Sequence, residues 1–174
     1  VGFIPHEKQD PHSQRLYHAS DYPSFDITPE DVRRSRQAYF ANISYLDDKV
    51  GELVDTLTRT RMLDDTLILF CSDHGEMLGE RGLWFKMCFY EGSARVPLMI
   101  AGKGVPAGRI DQPVSNLDIL PTLADLAGID MSAIMPWTDG QTLVPLVQGG
   151  KRTEPVLMEY AAEGSIAPMV AIRD

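Results

Sequence analysis

The chain has 174 residues, 44% hydrophobic and 24% charged, which suits one globular domain with a real core. A formal net charge of -9 argues against nucleic acid or anionic lipid as the main partner, since both are bound through basic faces. No stretch is long and apolar enough to span a bilayer, and two cysteines, Cys71 and Cys88, make no disulfide framework. The start, Val1-Gly2-Phe3-Ile4-Pro5, lacks the basic region of a signal peptide, so a cytoplasmic setting is the default expectation. A small anionic substrate remains compatible with the charge, because a local metal ion outweighs it.

Residues 1–27 read as irregular, rich in Pro, His, Asp and Ser, and suggest the middle of something longer. Thr28-Pro29-Glu30-Asp31 is a helix start: Thr28 caps, Pro29 suits the first turn and two acids favour the positive end of the dipole. Tyr39, Ile43, Leu46, Val50, Leu53 and Leu57 fall on one face, which predicts an amphipathic helix from Pro29 to Arg61. Thr66 to Cys71 reads as a strand buried on both faces, with Cys71 a buried thiol and Cys88 in a loop. From Ser72 to Arg95 no period is sustained, and long loops of that kind are usually functional or disordered. Val96 to Ala101 is a second strand, Ser115 opens a helix that stops at Gly128, and residues 129–150 are loop-like. Val156 to Tyr160 and Met169 to Ile172 complete the strands. Helices alternating with strands predict α/β layering with an at least partly parallel sheet. The 174 residues divide into an irregular start (1–27), a core with a candidate metal-site loop (28–128), and a loop with end strands (129–174).

In open α/β sheets ligands gather beyond the carboxyl ends of strands, where Ser72-Asp73-His74-Gly75-Glu76 lies. Asp73 offers a hard oxygen ligand, His74 an imidazole nitrogen, and Gly75 allows close approach. The alternative is plainer: Asp73 caps the next turn and His74 is simply buried. Lys86, between aromatic neighbours, either pairs with an oxyanion in a partly dry site or lays its stem on apolar surface. Glu91 and Arg95 are spaced as a structural ion pair. His6, His12 and His18 read as solvent-exposed or loop-packing rather than as ligands, and Met77, Met87, Met131 and Met135 as gap-filling side chains.

Four blocks in order carry a resemblance over residues 39–128. They are Tyr39-Phe40-Ala41-Asn42-Ile43-Ser44-Tyr45-Leu46-Asp47-Asp48, Ser72-Asp73-His74-Gly75-Glu76 running on to Trp84-Phe85-Lys86, Glu91-Gly92-Ser93-Ala94-Arg95-Val96-Pro97-Leu98, and Ser115-Asn116-Leu117-Asp118-Ile119-Leu120-Pro121-Thr122-Leu123. Together they resemble the sulfatases. Asp10-Pro11-His12-Ser13-Gln14-Arg15-Leu16 and Met158-Glu159-Tyr160-Ala161-Ala162-Glu163-Gly164-Ser165 are similar to the branch of that family acting on choline sulfate.

The resemblance implies part of an alkaline-phosphatase-like α/β sandwich around a mixed, largely parallel sheet. It implies sulfuric ester hydrolysis, a divalent cation (calcium or manganese) held by Asp73 and His74, and Lys86 on the sulfate group. It also implies a formylglycine nucleophile made from Cys or Ser in a Cys/Ser-x-Pro-x-Arg motif. Neither Cys71-Ser72-Asp73-His74-Gly75 nor Cys88-Phe89-Tyr90-Glu91-Gly92 has that pattern, so the chain is expected to hold the second half of the site without the nucleophile. Glu163 is a candidate for facing a quaternary ammonium, with Tyr160 or Trp137 as ring partners; its plain reading is a solvated loop glutamate. The expected partners are a small-molecule sulfate ester and further copies of the chain, with no nucleic acid and no membrane. Rival readings are a phosphodiesterase or phosphonate monoester hydrolase of the same scaffold, or a catalytically inert fragment.

Overall fold

The computed structural model describes residues 3–174; Val1 and Gly2 of the expected irregular start lie outside the described residues. Among the described residues the elements run α1 (Pro11–Ala19), α2 (Pro29–Arg59), β1 (Ile68–Cys71), α3 (Glu91–Ala94), β2 (Leu98–Ala101), α4 (Ile119–Leu126), α5 (Met131–Ile134), α6 (Val144–Val147), β3 (Val156–Tyr160) and β4 (Met169–Arg173). Helix and strand share the chain as expected of an α/β class.

The expected irregular start contains a helix, α1. Its N-terminus has the same chemistry as that of α2. The Asp10 carboxylate accepts from the backbone N–H of His12 and Ser13, both at 3.0 Å, and Pro11 occupies the first turn. In α2, Thr28 Oγ1 accepts from Asp31 N at 3.2 Å while Asp31 Oδ2 accepts from Thr28 N at 3.0 Å, a closed capping box. The apolar stripe of α2 falls where its spacing put it, yet it is largely uncovered: Leu53 is 66% and Ile43 47% exposed.

Among the described residues both strand pairings are antiparallel, which corrects the expectation of a mixed, largely parallel sheet for this part of the fold. β1 pairs with β2 in the register Ile68↔Ala101 to Cys71↔Leu98, and β3 with β4 from Val156↔Arg173 to Tyr160↔Met169. A parallel pair needs a covering crossover element, and between β1 and β2 the described residues hold only two single turns, the 3-10 turn Glu80–Gly82 and α3. β1 is not buried on both faces: it has one strand neighbour, it is half-buried, and Cys71 is exposed.

The core lies elsewhere, between α1 and the long loop. Leu16, Met77, Leu83 and Cys88 pack together, with Met87 and Tyr90 against them. Cys88 lies in the loop as expected and is buried there, and burial pushes its pKa up. Residues 72–95 are not structureless: Met77 N donates to Phe85 O at 2.7 Å, Gly79 N to Leu83 O at 2.8 Å and Gly75 N to Ser93 O at 2.7 Å. Residues 129–150, expected as loop, include the short turns α5 and α6.

Candidate active site

β1 ends at Cys71, and the chain turns at once into Ser72-Asp73-His74. The turn is pinned by Ser72 Oγ donating to His74 O at 2.8 Å and by His74 N donating to Asp73 Oδ1 at 2.9 Å. That backbone donor is the chief reason the Asp73 carboxyl sits below its ordinary pKa. A Cβ at Gly75 would overlap the Gly92 carbonyl oxygen, so the glycine here serves close approach of two backbone segments.

His74 Nδ1 lies 2.8 Å from Gly75 O. A carbonyl only accepts, so Nδ1 carries the hydrogen, and in the neutral ring Nε2 presents its lone pair. Nε2 stands 3.4 Å from Asp73 Oδ2. Two electron-pair donors therefore face one another, an arrangement that a cation between them satisfies. Backbone fixation of the other ring nitrogen is how metal-ligating histidines are oriented. The side chains are open to solvent, Asp73 at 84% and His74 at 41%, so the reading of His74 as simply buried does not hold. Among the described residues no third His, Cys, Asp or Glu joins them in a metal-sized group. A divalent cation fits the donor types of this pair, but the pair is only part of a coordination shell.

Lys86 is exposed in the same loop and makes no side-chain hydrogen bond or ion pair to Asp73 or His74 among the described residues. Its backbone is held tightly all the same. Phe85 (φ 64°) and Met87 (φ 76°) on either side are left-handed, as are Leu78 (φ 48°) and Arg81 (φ 57°). Each such non-glycine residue costs on the order of 1 kcal/mol and persists only where its surroundings dictate it.

Those surroundings are α1 and its lead-in. Gln9 Nε2 donates to Arg81 O at 2.8 Å, Tyr90 Oη donates to Asp10 Oδ2 at 2.8 Å, and the Arg81 guanidinium lies over the Tyr90 ring at 4.2 Å. Burial acts to raise the Asp10 carboxyl, but the Ser13, Tyr90 and His12 donors outweigh it and hold the pKa at about 2. His12, expected in an irregular segment, is on α1 and only 8% exposed; its Nε2 is 2.6 Å from Met87 O. The sequence signal for this was available: Asp10-Pro11 has the form of Thr28-Pro29.

Glu163 lies in an exposed turn between β3 and β4. Tyr160 Oη donates to Glu163 O at 2.8 Å, and burial together with the Glu163 charge raises the Tyr160 phenol. Tyr160 is therefore beside Glu163, whereas Trp137 is a surface side chain, 71% exposed. Glu91 pairs with Arg95 at 3.5 Å, as its spacing predicts, and also with Arg173 of β4 at 2.9 Å. One further acid escaped the sequence reading. Asp118 is fully buried and accepts from Ser115 N at 2.8 Å, Gln141 N at 2.8 Å and Arg152 Nη1 at 2.5 Å.

The fold is α/β with an acid–histidine pair at a strand end, and comparison with known proteins is specific about the family. The Sulfatase family model matches residues 5–129, and the chain belongs to that family. It is 73% identical over all 174 residues to choline-sulfatase of Rhizobium meliloti (strain 1021), of which it covers 34%. Among solved structures, the phosphonate monoester hydrolase SpPMH from Silicibacter pomeroyi superposes with a TM-score of 0.81 at 27% identity, over 91% of this chain and 34% of that one. A 2-O GAG sulfatase superposes with a TM-score of 0.82 at 23% identity over 99% of this chain and 39% of its own, which bears on the fold alone. The fold is accordingly a partial alkaline-phosphatase-like α/β domain, and the chain spans about a third of the length of these proteins. No helix among the described residues is long and apolar enough to cross a membrane.

Proposed function

We propose that this chain is part of a longer sulfatase that hydrolyses a sulfate ester, choline sulfate, to choline and sulfate. The observation that carries the reading is the fixed pair His74 Nε2 and Asp73 Oδ2, 3.4 Å apart at a strand end, in a chain 73% identical to a choline-sulfatase. In this reading Asp73 and His74 contribute ligands for calcium or manganese, with the remaining ligands and a formylglycine nucleophile coming from sequence beyond these residues. A divalent ion held by Asp73 and His74 would supply Lewis acidity toward the sulfuryl oxygens. Lys86 adds a positive charge to the same oxygens and stabilises them as charge develops. Glu163, with the Tyr160 ring beside it, faces the quaternary ammonium. The uncovered apolar faces suit association with further copies of the protein, and two free thiols, one of them exposed, suit the cytoplasm.

The test is choline sulfate turnover by the full-length protein with calcium or manganese. Asp73→Ala is expected to abolish metal-dependent turnover, and Lys86→Ala to lower kcat/KM by about 100- to 1,000-fold. Glu163→Gln is expected to weaken choline sulfate more than an uncharged aryl sulfate. Wild-type turnover in Asp73→Ala removes the ligand assignment. A second reading, phosphonate monoester hydrolysis, is favoured by the likeness to SpPMH; a full-length protein inert on choline sulfate but active on a phenylphosphonate monoester selects it.

A further inference from the structure

Helix α1 touches both loops to which the proposed function assigns substrate contacts. Toward the first, the buried His12 donates from Nε2 to Met87 O at 2.6 Å, one residue from Lys86. The direction follows from the acceptor, because a carbonyl has no hydrogen to give. His12 Nδ1 is buried with no partner among the described residues, so Nε2 carries the ring's one hydrogen bond to the protein. Met87 has φ 76°, so its carbonyl points where it does against the residue's own preference, and the His12 N–H is what meets it there. Toward the second loop, the His12 ring meets the Tyr160 ring edge-on at 5.7 Å, and Tyr160 Oη holds Glu163 O. One turn along the helix face, Arg15 Nε donates to Gly164 O at 2.8 Å. Gly164 sits against the Leu16 side chain so closely that a Cβ would collide with it.

From this geometry we infer that α1 is a strut that sets the separation between Lys86 and Glu163, with His12 positioning Lys86 and Arg15 positioning Glu163. The inference rests on the proposed roles of Lys86 and Glu163. Neither α1 residue touches substrate. Each fixes a backbone carbonyl adjacent to the residue that does: Met87 O beside Lys86, Gly164 O beside Glu163. A strut of this kind matches a substrate with its anionic and cationic ends a fixed distance apart, and it penalises one lacking the second charge.

The test uses steady-state kinetics of the full-length protein on choline sulfate and on an uncharged aryl sulfate. His12→Phe keeps a ring against Tyr160 but removes the N–H, and is expected to lower kcat about 10- to 100-fold on both substrates with KM little changed. His12→Gln restores a donor near the Nε2 position and is expected to recover most of that loss. Arg15→Leu is expected to raise KM for choline sulfate several-fold more than for the aryl ester. A cycle with Lys86→Ala separates the outcomes: if His12 acts through Lys86, the double variant is no slower than Lys86→Ala alone. Additive losses, or a His12→Gln variant as slow as His12→Phe, overturn the positioning role while leaving Lys86 in place. A Lys86→Ala variant with wild-type kcat overturns both the role of Lys86 and the strut built on it.

Discussion

Asp118 and Asp73 belong to the same family of strand- and helix-end acids, yet their settings are opposite. Asp118 is fully buried, and its two oxygens take three donors, two backbone N–H groups and the nearly buried Arg152 guanidinium. Its hydrogen-bonding capacity is spent inside the protein, and it joins three separated segments around α4. Asp73 is 84% exposed, takes its main donor from the next residue, and directs its second oxygen at the His74 Nε2 nitrogen. A satisfied buried acid holds structure together. An exposed acid held in place with an unanswered oxygen is available to something that is not protein.

The contrast is tested first where the effect is largest. Asp118→Ala leaves the Arg152 charge, 11% exposed, without its partner and strips the acceptor from Ser115 N and Gln141 N. Removing one member of a buried ion pair typically costs about 3–5 kcal/mol, so the denaturation midpoint of the full-length protein is expected to fall sharply. A loss near that of a surface substitution would mean that the network around Asp118 is replaceable.

Gly75→Ala probes the boundary between the two settings. The added methyl overlaps the Gly92 carbonyl oxygen, and both partners are backbone, so the 72–95 loop must move. Overpacking of this sort costs about 1–3 kcal/mol, and turnover is expected to drop with it, since Asp73 and His74 immediately precede the displaced residue. Normal turnover together with lowered stability would show that the pair keeps its geometry independently of Gly75.

Asp10 lies between the extremes: partly exposed, but answered by four donors. Asp10→Ala removes the α1 cap and the Tyr90 contact, an expected loss of about 1–2 kcal/mol. The pH dependence carries a definite sign. Because the folded pKa, about 2, is below the ordinary 3.8, the carboxylate stabilises the fold fully above 3.8 and that contribution fades as pH falls toward 2. The gap in melting temperature between wild type and Asp10→Ala is therefore expected to narrow across that window.

How much of this was legible follows from which signals are local. The α2 start, its stripe, the β3 and β4 strands and the Gly128 stop are written in neighbouring residues, and each stands where the sequence put it. Helix α1 is equally well capped but carries little apolar periodicity beyond Leu16, so its start signal at Asp10-Pro11 was outweighed by its polar composition. Strand direction is not legible in the sequence, because helix–strand alternation says nothing about which strands pair. Cys71 is exposed, against the expected burial, for a similar reason: burial depends on what packs across the chain, and the core forms on the long loop, with Cys88 in it, instead of on β1. The pair Asp73-His74 was legible as a location at a strand end. Its tautomer was not, because that depends on the Gly75 carbonyl turning back toward Nδ1.

The smallest expected stability change is the sharpest version of the comparison. Asp73→Ala removes no donor from the interior: the His74 backbone N–H it accepts from lies at the surface, and the carboxylate is solvated. Surface substitutions away from special features stay within about 0.5 kcal/mol. The melting temperature of the metal-free full-length protein is thus expected to be nearly unmoved, while added calcium or manganese raises it in wild type and not in Asp73→Ala, since a ligand that binds only the folded state stabilises it by mass action. A metal-free Asp73→Ala protein that melts as far below wild type as Asp118→Ala would place Asp73 with the structural acids. A metal shift of equal size in wild type and variant would move the cation off this pair. Only the combination of an unchanged apo protein and a lost metal response marks Asp73 as an acid kept for a ligand.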